Sequence, residues 1–289
     1  MLGNLRRLRQ RIKGVEKTHH LTSAMKVVAS VRVRKAQNAL YAMRPYSDRL
    51  MSMIQRLVRY EEEPHPLLRT KEEGKILLAV FTSDKGLCGP FNSNIIKKAE
   101  LVIKNFREKG DEVDIIAIGK KGRDHFRKHD YPVVAEYTGF QPRIDYEDAV
   151  AIGEIFIDSF VAGDYKEITA LYHQFYSAGR QVVIERCILP IRTFVPAEPP
   201  PVEYIYEPDK TSILHVILPM YVNVTIWRVL QESTASEHGA RMVAMDMATR
   251  RCEEQIDALT LRYHKERQAS ITMELIDIVG TAEAVSGGI

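Results

Sequence analysis

The chain has 289 residues, of which 45% are hydrophobic and 27% are charged, a balance typical of a folded globular protein. Its most apolar stretch, 213–222, contains His215 and Pro219 and is shorter than the roughly 20 residues that cross a bilayer, so we expect no membrane span. The basic start, 1–13, lacks the apolar segment of a secretory signal, and three widely spaced cysteines predict reduced thiols in a cytoplasmic protein.

The net charge of +3 hides a strong asymmetry along the chain. Residues 1–45 carry eleven basic side chains and one acidic side chain, Glu16, so this segment has a charge of 11 − 1 = +10 and the remainder has 3 − 10 = −7. A block of this kind is typical of a segment that binds a polyanion, such as nucleic acid, anionic lipid or acidic protein loops. It is equally typical of a solvated helix face, and composition leaves both interpretations open.

A long amphipathic helix is predicted over residues 4–59. This segment has no glycine after Gly14 and one proline, Pro45, and its apolar residues recur at steps of three and four, as in a coiled-coil seam. Between His19 and Lys26 the apolar residues are displaced by one position, which predicts a stutter where the helix changes the face that it offers. The seam residues are Leu5, Leu8, Ile12, Val15, Ala29, Val33, Ala36, Leu40, Met43, Leu50, Ile54 and Leu57.

The middle of the chain alternates β-type runs with helical patterns after a polar, proline-containing stretch, 61–73. This alternation predicts an α/β sheet covered by helices, with a β-hairpin at its end. Asp145 is expected to cap the third of these helices. The predicted strands are 75–82, 114–118, a short run near Val133, 167–176 and 181–189, and the predicted helices are 92–109, 121–129 and 145–160.

A second long helix is predicted after the proline-rich stretch 196–201, with Asp209 as its cap. At 1.5 Å per residue, a helix of roughly 70 residues is on the order of 100 Å long. Two such helices in one chain bury their apolar seams against each other, so we expect a long antiparallel coiled coil of the terminal helices with a central Rossmann-like α/β domain. The predicted domains are an N-terminal helix (1–60), a central α/β domain (61–208) and a C-terminal helix (209–289).

No catalytic or cofactor-binding motif stands out. The loop 82–89 follows a strand, as many ligand loops do, but it lacks GxxxxGK[ST], and residues 119–122 lack GxGxxG. The adjacent histidines His19 and His20 point to different faces of a helix and cannot share a metal ion. No Ser/His/Asp, Cys/His or paired-carboxylate arrangement is evident. We therefore expect no cofactor, no metal site and no catalysis by this chain alone.

Several segments resemble the gamma subunit of bacterial F-type ATP synthases. The first helix contains RIKGV at 11–15 and LTSAMKVVA at 21–29, and the loop after the first strand reads SDKGLCGPFN at 83–92. The segment YIYEPD at 204–209 leads into the last helix. The run 230–284, which begins LQESTASEHGARMVAMDMATRRCEEQIDALTLRYHKERQ, is the most specific part of a resemblance that spans essentially the whole chain.

The resemblance implies a non-catalytic rotor in the central stalk of that enzyme. Its helical pair would turn inside the hexamer of alpha and beta subunits, where the basic first helix meets acidic loops of beta. Its α/β domain would rest on the membrane c ring beside epsilon, with delta in the same catalytic sector. Proton or sodium flow would be coupled to ATP synthesis, or ATP hydrolysis would drive the rotor in reverse. The protein would lie at the cytoplasmic face of the cell membrane as a peripheral component.

The resemblance also implies individual contact residues. Those expected to contact the alpha/beta hexamer are Met25, Lys26, Ser83, Asp84, Lys85, Arg241, Arg267, Gln268, Thr272 and Glu274. Those expected to contact the c ring or epsilon are Tyr204, Tyr206 and Glu207. The chain departs from the family pattern at Ser23, Ser212, Gly239 and Met273. Glycine at 239, where alanine is usual, is expected to weaken the helix by roughly 1 kcal/mol.

Two other functions compete with this interpretation. The basic helix could be a nucleic-acid arm, which predicts salt-sensitive binding of DNA or RNA by the isolated chain, although few aromatic residues interleave its basic ones. The α/β domain could be a nucleotide-binding phosphotransferase, which predicts tight binding of ATP by the chain alone. The missing phosphate-loop motif argues against that function.

Overall fold

The structure is a computed structural model that describes residues 2–58, 65–139, 144–192, 207 and 209–286. Two long helices flank a set of strands and shorter helices. In chain order, the elements are α1 (Leu2–Val58), a short 3-10 helix (Pro66–Leu68), β1 (Lys75–Phe81), α2 (Phe91–Glu108), β2 (Val113–Ile118), α3 (Lys120–Lys128), β3 (Val133–Tyr137), α4 (Tyr146–Ala162), β4 (Tyr165–Ser177), β5 (Arg180–Leu189) and α5 (Lys210–Ser286). The α-helices and strands lie where the sequence predicts them, with small differences at the ends, whereas the 3-10 helix was not predicted.

The five strands form one sheet in the order β3-β2-β1-β4-β5. β1 pairs in parallel with β2 and β4, and β2 pairs in parallel with β3, whereas β5 runs antiparallel to β4. The order of the four parallel strands is that of the first four strands of a Rossmann sheet. The antiparallel pair is the predicted hairpin, whose strands can be joined by a short turn.

Helices cover both faces of the sheet, so β1 is apolar and buried from Ile76 to Phe81, as a central parallel strand should be. On one face α2 and α3 pack against alternate residues of β1: Ile76, Leu78 and Val80. On the other face α4 and the long helices pack against the intervening residues: Leu77, Ala79 and Phe81. The core of the domain therefore consists of two apolar layers, one on each side of the sheet.

The ends of two helices are set by the predicted caps. The amide of Asp145, at the N-cap of α4, donates to the carboxylate of Asp148 at 2.8 Å. Asp209 accepts hydrogen bonds from the amide and the hydroxyl of Ser212 at 2.8 and 2.7 Å, and these bonds lower the pKa of its carboxyl. Ser212, which replaces an acidic residue of the family pattern, thus contributes a capping contact of its own.

The chain divides into two compact units: Met1–Val28 with Met242–Ile289, and Ala29–Arg241. In the first unit, α1 and α5 run antiparallel. Three contacts establish this direction: Arg9 with Tyr263, His19 with Glu253, and Lys26 with Asp246.

The predicted stutter between His19 and Lys26 is wrong. The contacts to α5 here are made by polar residues, including a hydrogen bond of 2.9 Å between the hydroxyls of Thr249 and Thr22. The displaced apolar residue Leu21 is 61% exposed. The seam therefore continues through this segment with polar instead of apolar side chains.

In the second unit, α5 is buried on nearly all sides from Val222 to Arg241. Its buried polar residues include Gln231, Glu232, Ser233, Ser236, Glu237 and His238. A Cβ at Gly239 would lie only 3.1 Å from the Cα of Ala178 in the β4–β5 turn. Glycine at this position therefore allows the hairpin to lie close against the helix, a packing role that the sequence did not reveal.

The expectation that no segment is long and apolar enough to cross a bilayer is wrong for α5. One 18-residue window of this helix has a mean hydropathy of 1.5, which by length and composition alone is enough to cross a bilayer. In that window, 44% of the residues are buried within the protein. Leu214, Leu218 and Val222 near the start of the helix belong to the core beneath the sheet, so packing against the α/β domain accounts for the apolar character there.

The predicted fold class, a Rossmann-like α/β domain combined with a long antiparallel pair of terminal helices, is confirmed. Both long helices contribute residues to both compact units. The division into domains 1–60, 61–208 and 209–289 stays a prediction.

Candidate subunit interfaces

The loop after β1 is held in place by its own side chains. The hydroxyl of buried Ser83 donates to the carbonyl of Lys85 at 2.7 Å, and its amide donates to the side chain of Asn92 at 3.0 Å. Cys88 is buried beside them, and burial raises the pKa of its thiol. Leu87 is 62% exposed and has a φ of 61°, which is uncommon for a residue with a side chain. The loop thus exposes the side chains of Lys85 and Leu87.

Arg241 of α5 binds the same loop. Its guanidinium donates to the carbonyl of Gly86 at 3.1 and 3.3 Å and to the carbonyl of Lys85 at 3.1 Å. It also pairs with Glu237 at 2.7 Å and donates to Nδ1 of His238 at 3.1 Å. Burial, together with the nearby arginine, lowers the pKa of His238 to about 3, so the ring is neutral and can accept this bond. Arg241 is only 8% exposed, and its hydrogen bonds serve the fold of the loop.

Asp84 occupies a position where α/β domains often bind anions. Its carboxylate accepts hydrogen bonds from the amide of Lys120, the first residue of α3, at 3.0 Å and from the amide of Gly139 at 2.9 Å. The N-terminus of a helix attracts negative charge through its free amides and its dipole. The carboxylate of Asp84 therefore caps the N-terminus of α3 and satisfies amides that an anion could otherwise bind.

The carboxyl ends of the strands, where Rossmann-like sheets bind ligands, are covered by α5. One cavity at these strand ends has a volume of about 30 Å³, room for water but not for a nucleotide. It is lined by Phe81, Thr82, Asp84, Ile118, Gly119, Ile144, Leu230, Ser233, Thr234 and Glu237. Within the described ranges, no cluster of three or more metal-ligating side chains occurs.

Met25 and Lys26 lie on α1 in the first unit. The amine of Lys26 is 2.6 Å from the carboxylate of Asp246, which also pairs with Arg250 at 3.0 Å. The hydrogen bond from Lys26 lowers the pKa of Asp246. The side chain of Lys26 remains 45% exposed and Met25 is half-buried, so both are accessible to a partner.

The predicted contacts near the end of α5 are exposed on successive turns of the helix. These are Arg267, Gln268, Thr272 and Glu274. Large apolar residues on the same turns are also exposed: Ile271 (48%), Met273 (49%), Leu275 (57%), Ile276 (59%), Ile278 (64%) and Val279 (55%). A helix whose apolar residues point in many directions is typical of one that is enclosed by other subunits.

Of the three predicted contacts with the c ring or epsilon, Tyr204 and Tyr206 lie outside the described residues, and Glu207 is exposed. The structure brings the loop residues 83–85 together with Arg241 in the second unit. Met25, Lys26 and the end of α5 belong to the first unit.

Sequence reasoning missed several residues of these sites. Glu237 and Asp246 each form an ion pair with an arginine four positions later, and this spacing on a helix is a signal that could have identified them. His238 completes the Arg241 cluster, and Leu87 is the exposed apolar residue of the loop. Neither His238 nor Leu87 has a comparable signal in the sequence.

Known proteins match this chain over nearly its whole length. A family model described as ATP synthase matches residues 4–285. The chain is 40% identical to the ATP synthase gamma chain of Pelotomaculum thermopropionicum, over 98% of this chain and 99% of that protein. It is also 40% identical to the ATP synthase gamma chain of Nitratidesulfovibrio vulgaris, with the same coverage. The chain belongs to the ATP synthase gamma chain family. The family resemblance drawn from the motifs is thereby confirmed.

Solved structures share the gamma chain fold at lower identity. A chain in the rotor of the Euglena gracilis mitochondrial ATP synthase matches with a TM-score of 0.65 at 16% identity, over 94% of this chain and 100% of that chain. A chain in the central stalk and c ring structure of the Tetrahymena thermophila mitochondrial ATP synthase matches with a TM-score of 0.61 at 22% identity, over 79% of this chain and 99% of that chain. Both likenesses agree with the confirmed fold class.

Proposed function

We propose that this chain is the central-stalk rotor subunit of an F-type ATP synthase, where it transmits torque between the membrane c ring and the catalytic hexamer of alpha and beta subunits. The full-length identity to ATP synthase gamma chains carries this proposal. The rotor couples translocation of protons or sodium ions to ATP synthesis or hydrolysis. It assembles with epsilon and delta and is a peripheral component at the cytoplasmic face of the cell membrane.

We further propose that the chain takes no direct part in the chemistry. Two features support this: the carboxyl ends of the strands are covered by α5, and the carboxylate of Asp84 already caps the N-terminus of α3. A nucleotide at these strand ends would have to displace both a core helix and the hydrogen-bonded side chain of Asp84. The catalytic sites of the enzyme then belong to the hexamer.

The end of α5 is the proposed bearing surface inside the hexamer. Its exposed apolar residues need a surrounding surface, and its polar residues Arg267, Gln268, Thr272 and Glu274 can make hydrogen bonds to that surface. Exposed ion pairs and hydrogen bonds are each worth about 0–1 kcal/mol. A rotor that passes three equivalent surfaces needs contacts of this exchangeable kind. Met25 and Lys26, both accessible on α1, are proposed to meet the acidic loops of beta.

The proposed contacts with the c ring and epsilon are Tyr204, Tyr206 and Glu207. They immediately precede α5, which begins at Lys210. A force applied at these residues therefore enters the long helix within a few residues of its start. Glu207 is exposed, as a subunit contact requires before assembly.

The test is the ATPase activity of alpha and beta subunits purified with and without this chain. The chain should join at one copy per three beta subunits and confer sustained, cooperative turnover, while the chain alone should neither hydrolyse ATP nor bind it tightly. Failure to join the hexamer, or hydrolysis by the chain alone, would overturn the proposal.

A pair of variants tests the bearing surface. Ile276→Ser combined with Ile278→Ser should lower cooperative turnover at least several-fold, because it removes apolar surface from the enclosed turns of α5. Leu101→Ser on α2 is the matched control, since Leu101 is exposed to a similar degree, 51%, but lies outside the proposed interfaces. An equal fall in cooperative turnover with both changes would contradict the assignment of the end of α5 as the surface that contacts the hexamer.

A further inference from the structure

An open cavity of about 470 Å³ lies between α1, α5 and the start of α4, within the second unit. α1 contributes Arg32, Lys35, Ala36 and Ala39 to its lining, α5 contributes Trp227, Gln231, Thr234 and His238, and the start of α4 contributes Ile144 and Asp145. Sites for small molecules have volumes of roughly 300–1,000 Å³. The cavity is therefore large enough to hold a small ligand.

Two basic side chains form the α1 wall of this cavity. Arg32 and Lys35 are three residues apart on the helix, so they lie on the same face. Arg32 is half-buried and Lys35 is exposed. In the part of the chain that the structure describes, neither pairs with a carboxylate, whereas Lys26 of the same helix pairs with Asp246. The two positive charges can thus attract an anion that enters the cavity.

Two buried polar side chains of α5 add hydrogen-bond donors to the lining. Gln231 is 8% exposed and His238 is 5% exposed. The guanidinium of Arg241 donates to Nδ1 of His238 at 3.1 Å, so the neutral ring carries its proton on Nε2. Among the described residues, neither this Nε2 proton nor the side-chain amide of Gln231 has an acceptor. Buried donors without acceptors are unfavourable, and the oxygens of an anion would satisfy them.

The rest of the lining determines where an anion lies and what the remainder of the ligand is. Asp145, the N-cap residue of α4, is the acidic member of the lining, so an anion is expected at the α1 wall and away from α4. Trp227 is half-buried, and its ring meets that of Tyr146 edge-on at a centroid distance of 6.1 Å. Ala36 and Ala39 add apolar surface with little bulk. An apolar, flat group is therefore expected beside the indole.

We propose that this cavity binds a small organic anion, whose carboxylate or phosphate lies against the α1 wall and His238 and whose apolar ring packs on Trp227. A carboxylate and a phosphate both accept charge-assisted hydrogen bonds, which are about twice as strong as those between neutral groups. The ring adds the burial of apolar surface on the indole. The inference is independent of the rotor function, since it concerns a cavity of the second unit alone.

Trp227 is the only tryptophan of the chain, so its fluorescence reports on this cavity. Phenyl phosphate and benzoate carry the two kinds of anionic group on an aromatic ring, and benzyl alcohol is a neutral molecule of similar size. With the full-length chain, the better of the two anions should bind at one molecule per chain by calorimetry and change the emission of Trp227. Its affinity should be at least about tenfold higher than that of benzyl alcohol, because only the anion accepts charge-assisted hydrogen bonds. Absence of saturable binding by both anions, or an equal affinity for benzyl alcohol, would overturn the proposal.

Matched variants separate a built site from general attraction by a basic helix. Arg32→Gln should raise the Kd of the anion at least about tenfold, because it removes a charged donor from the cavity. Arg34→Gln removes the same charge from an exposed side chain outside the cavity and should change the Kd by less than about twofold. Gln231→Leu removes a buried donor that has no acceptor among the described residues, so it should weaken binding without lowering the temperature of thermal unfolding. Equal losses of affinity in the Arg32→Gln and Arg34→Gln chains would overturn the proposal.

Discussion

The guanidinium of Arg241 holds the loop after β1 to α5 and balances the buried carboxylate of Glu237. Arg241→Gln should lower the free energy of unfolding by about 3 kcal/mol, because it leaves a buried charge without its partner. Urea unfolding of the full chain, followed by circular dichroism, measures the change. Arg192→Gln is the control in the same unit, since Arg192 pairs with Glu167 but is 70% exposed, and it should cost less than about 1 kcal/mol. If the two variants lost similar amounts of unfolding free energy, burial would not determine how much these ion pairs stabilise the fold.

Two buried histidines of the second unit make its stability depend on pH. Burial lowers the pKa of His173 to about 4, and burial with Arg241 lowers that of His238 to about 3. In the unfolded chain both groups titrate near 6.5, so the unfolded state binds more protons below that pH. The contribution of these two histidines to stability is therefore fully present above about pH 6.5, and it is lost as the pH falls from there towards their pKa values in the folded chain.

The expected loss between pH 7.5 and pH 5.5 is about 1.4 kcal/mol for each of the two histidines. Urea unfolding at the two pH values measures it. His238→Asn should remove about half of the difference between the two conditions, whatever its effect on stability at pH 7.5. A pH dependence that is unchanged in this variant would contradict the role of His238.

Individual contacts were only partly predictable. The sequence marked Arg241 as functional through the family resemblance, but it did not show that the guanidinium binds carbonyls of its own chain. Those carbonyls lie about 155 positions away, and a contact across that distance leaves no periodic pattern in one sequence. The role of Arg241 as a hexamer contact stays a prediction, and so do the other twelve residues carried over from the family.

Between elements, the packing of α4 on α5 depends on one glycine. A Cβ at Gly153 would lie 1.9 Å from Oδ1 of Asn223, far inside van der Waals contact. Gly153→Ala should therefore destabilise the second unit by about 1–3 kcal/mol, the usual cost of overpacking, despite the higher helix propensity of alanine. Thermal unfolding of the full chain measures the effect.

Gly14→Ala in α1 is the matched control for that change. Nothing lies within 4 Å of a Cβ at Gly14, so the same substitution should stabilise the helix by up to about 1 kcal/mol. Asn223→Ala combined with Gly153→Ala should recover part of the loss, because it removes the colliding oxygen. If Gly153→Ala and Gly14→Ala changed the stability of the chain in the same direction, the packing argument would be contradicted.

The elements themselves were predictable because their signals are local. Alternating apolar runs, helical periodicity and the caps Asp145 and Asp209 gave the helices and strands close to their observed bounds. The strand order was not predictable, since pairing between β1 and β4 is decided by contacts across the whole domain. The stutter was predicted wrongly because polar residues such as Thr22 were not expected to occupy a seam.

Across the whole molecule, apolar packing is unevenly distributed. The three hydrophobic clusters formed by described residues all lie in the second unit, whereas the antiparallel pair of the first unit is joined in part by polar contacts such as His19 with Glu253. Amides of α1 and α5 in the first unit should therefore exchange at least about 100-fold faster than those of β1 in the isolated chain. Hydrogen exchange with mass spectrometry measures the ratio, and equal protection of the two units would contradict the prediction.

The helix α5 supplies buried residues such as Leu218 and Val222 to the core beneath the sheet, and it continues as one helix to Ser286. Torsion applied to its exposed turns thus reaches the domain through covalent backbone and the hydrogen-bond ladder of a single helix. Rotating the helix against the sheet would require these side chains to leave the core. We therefore expect the torsional strength of this connection to depend on the stability of the fold around Leu218 and Val222.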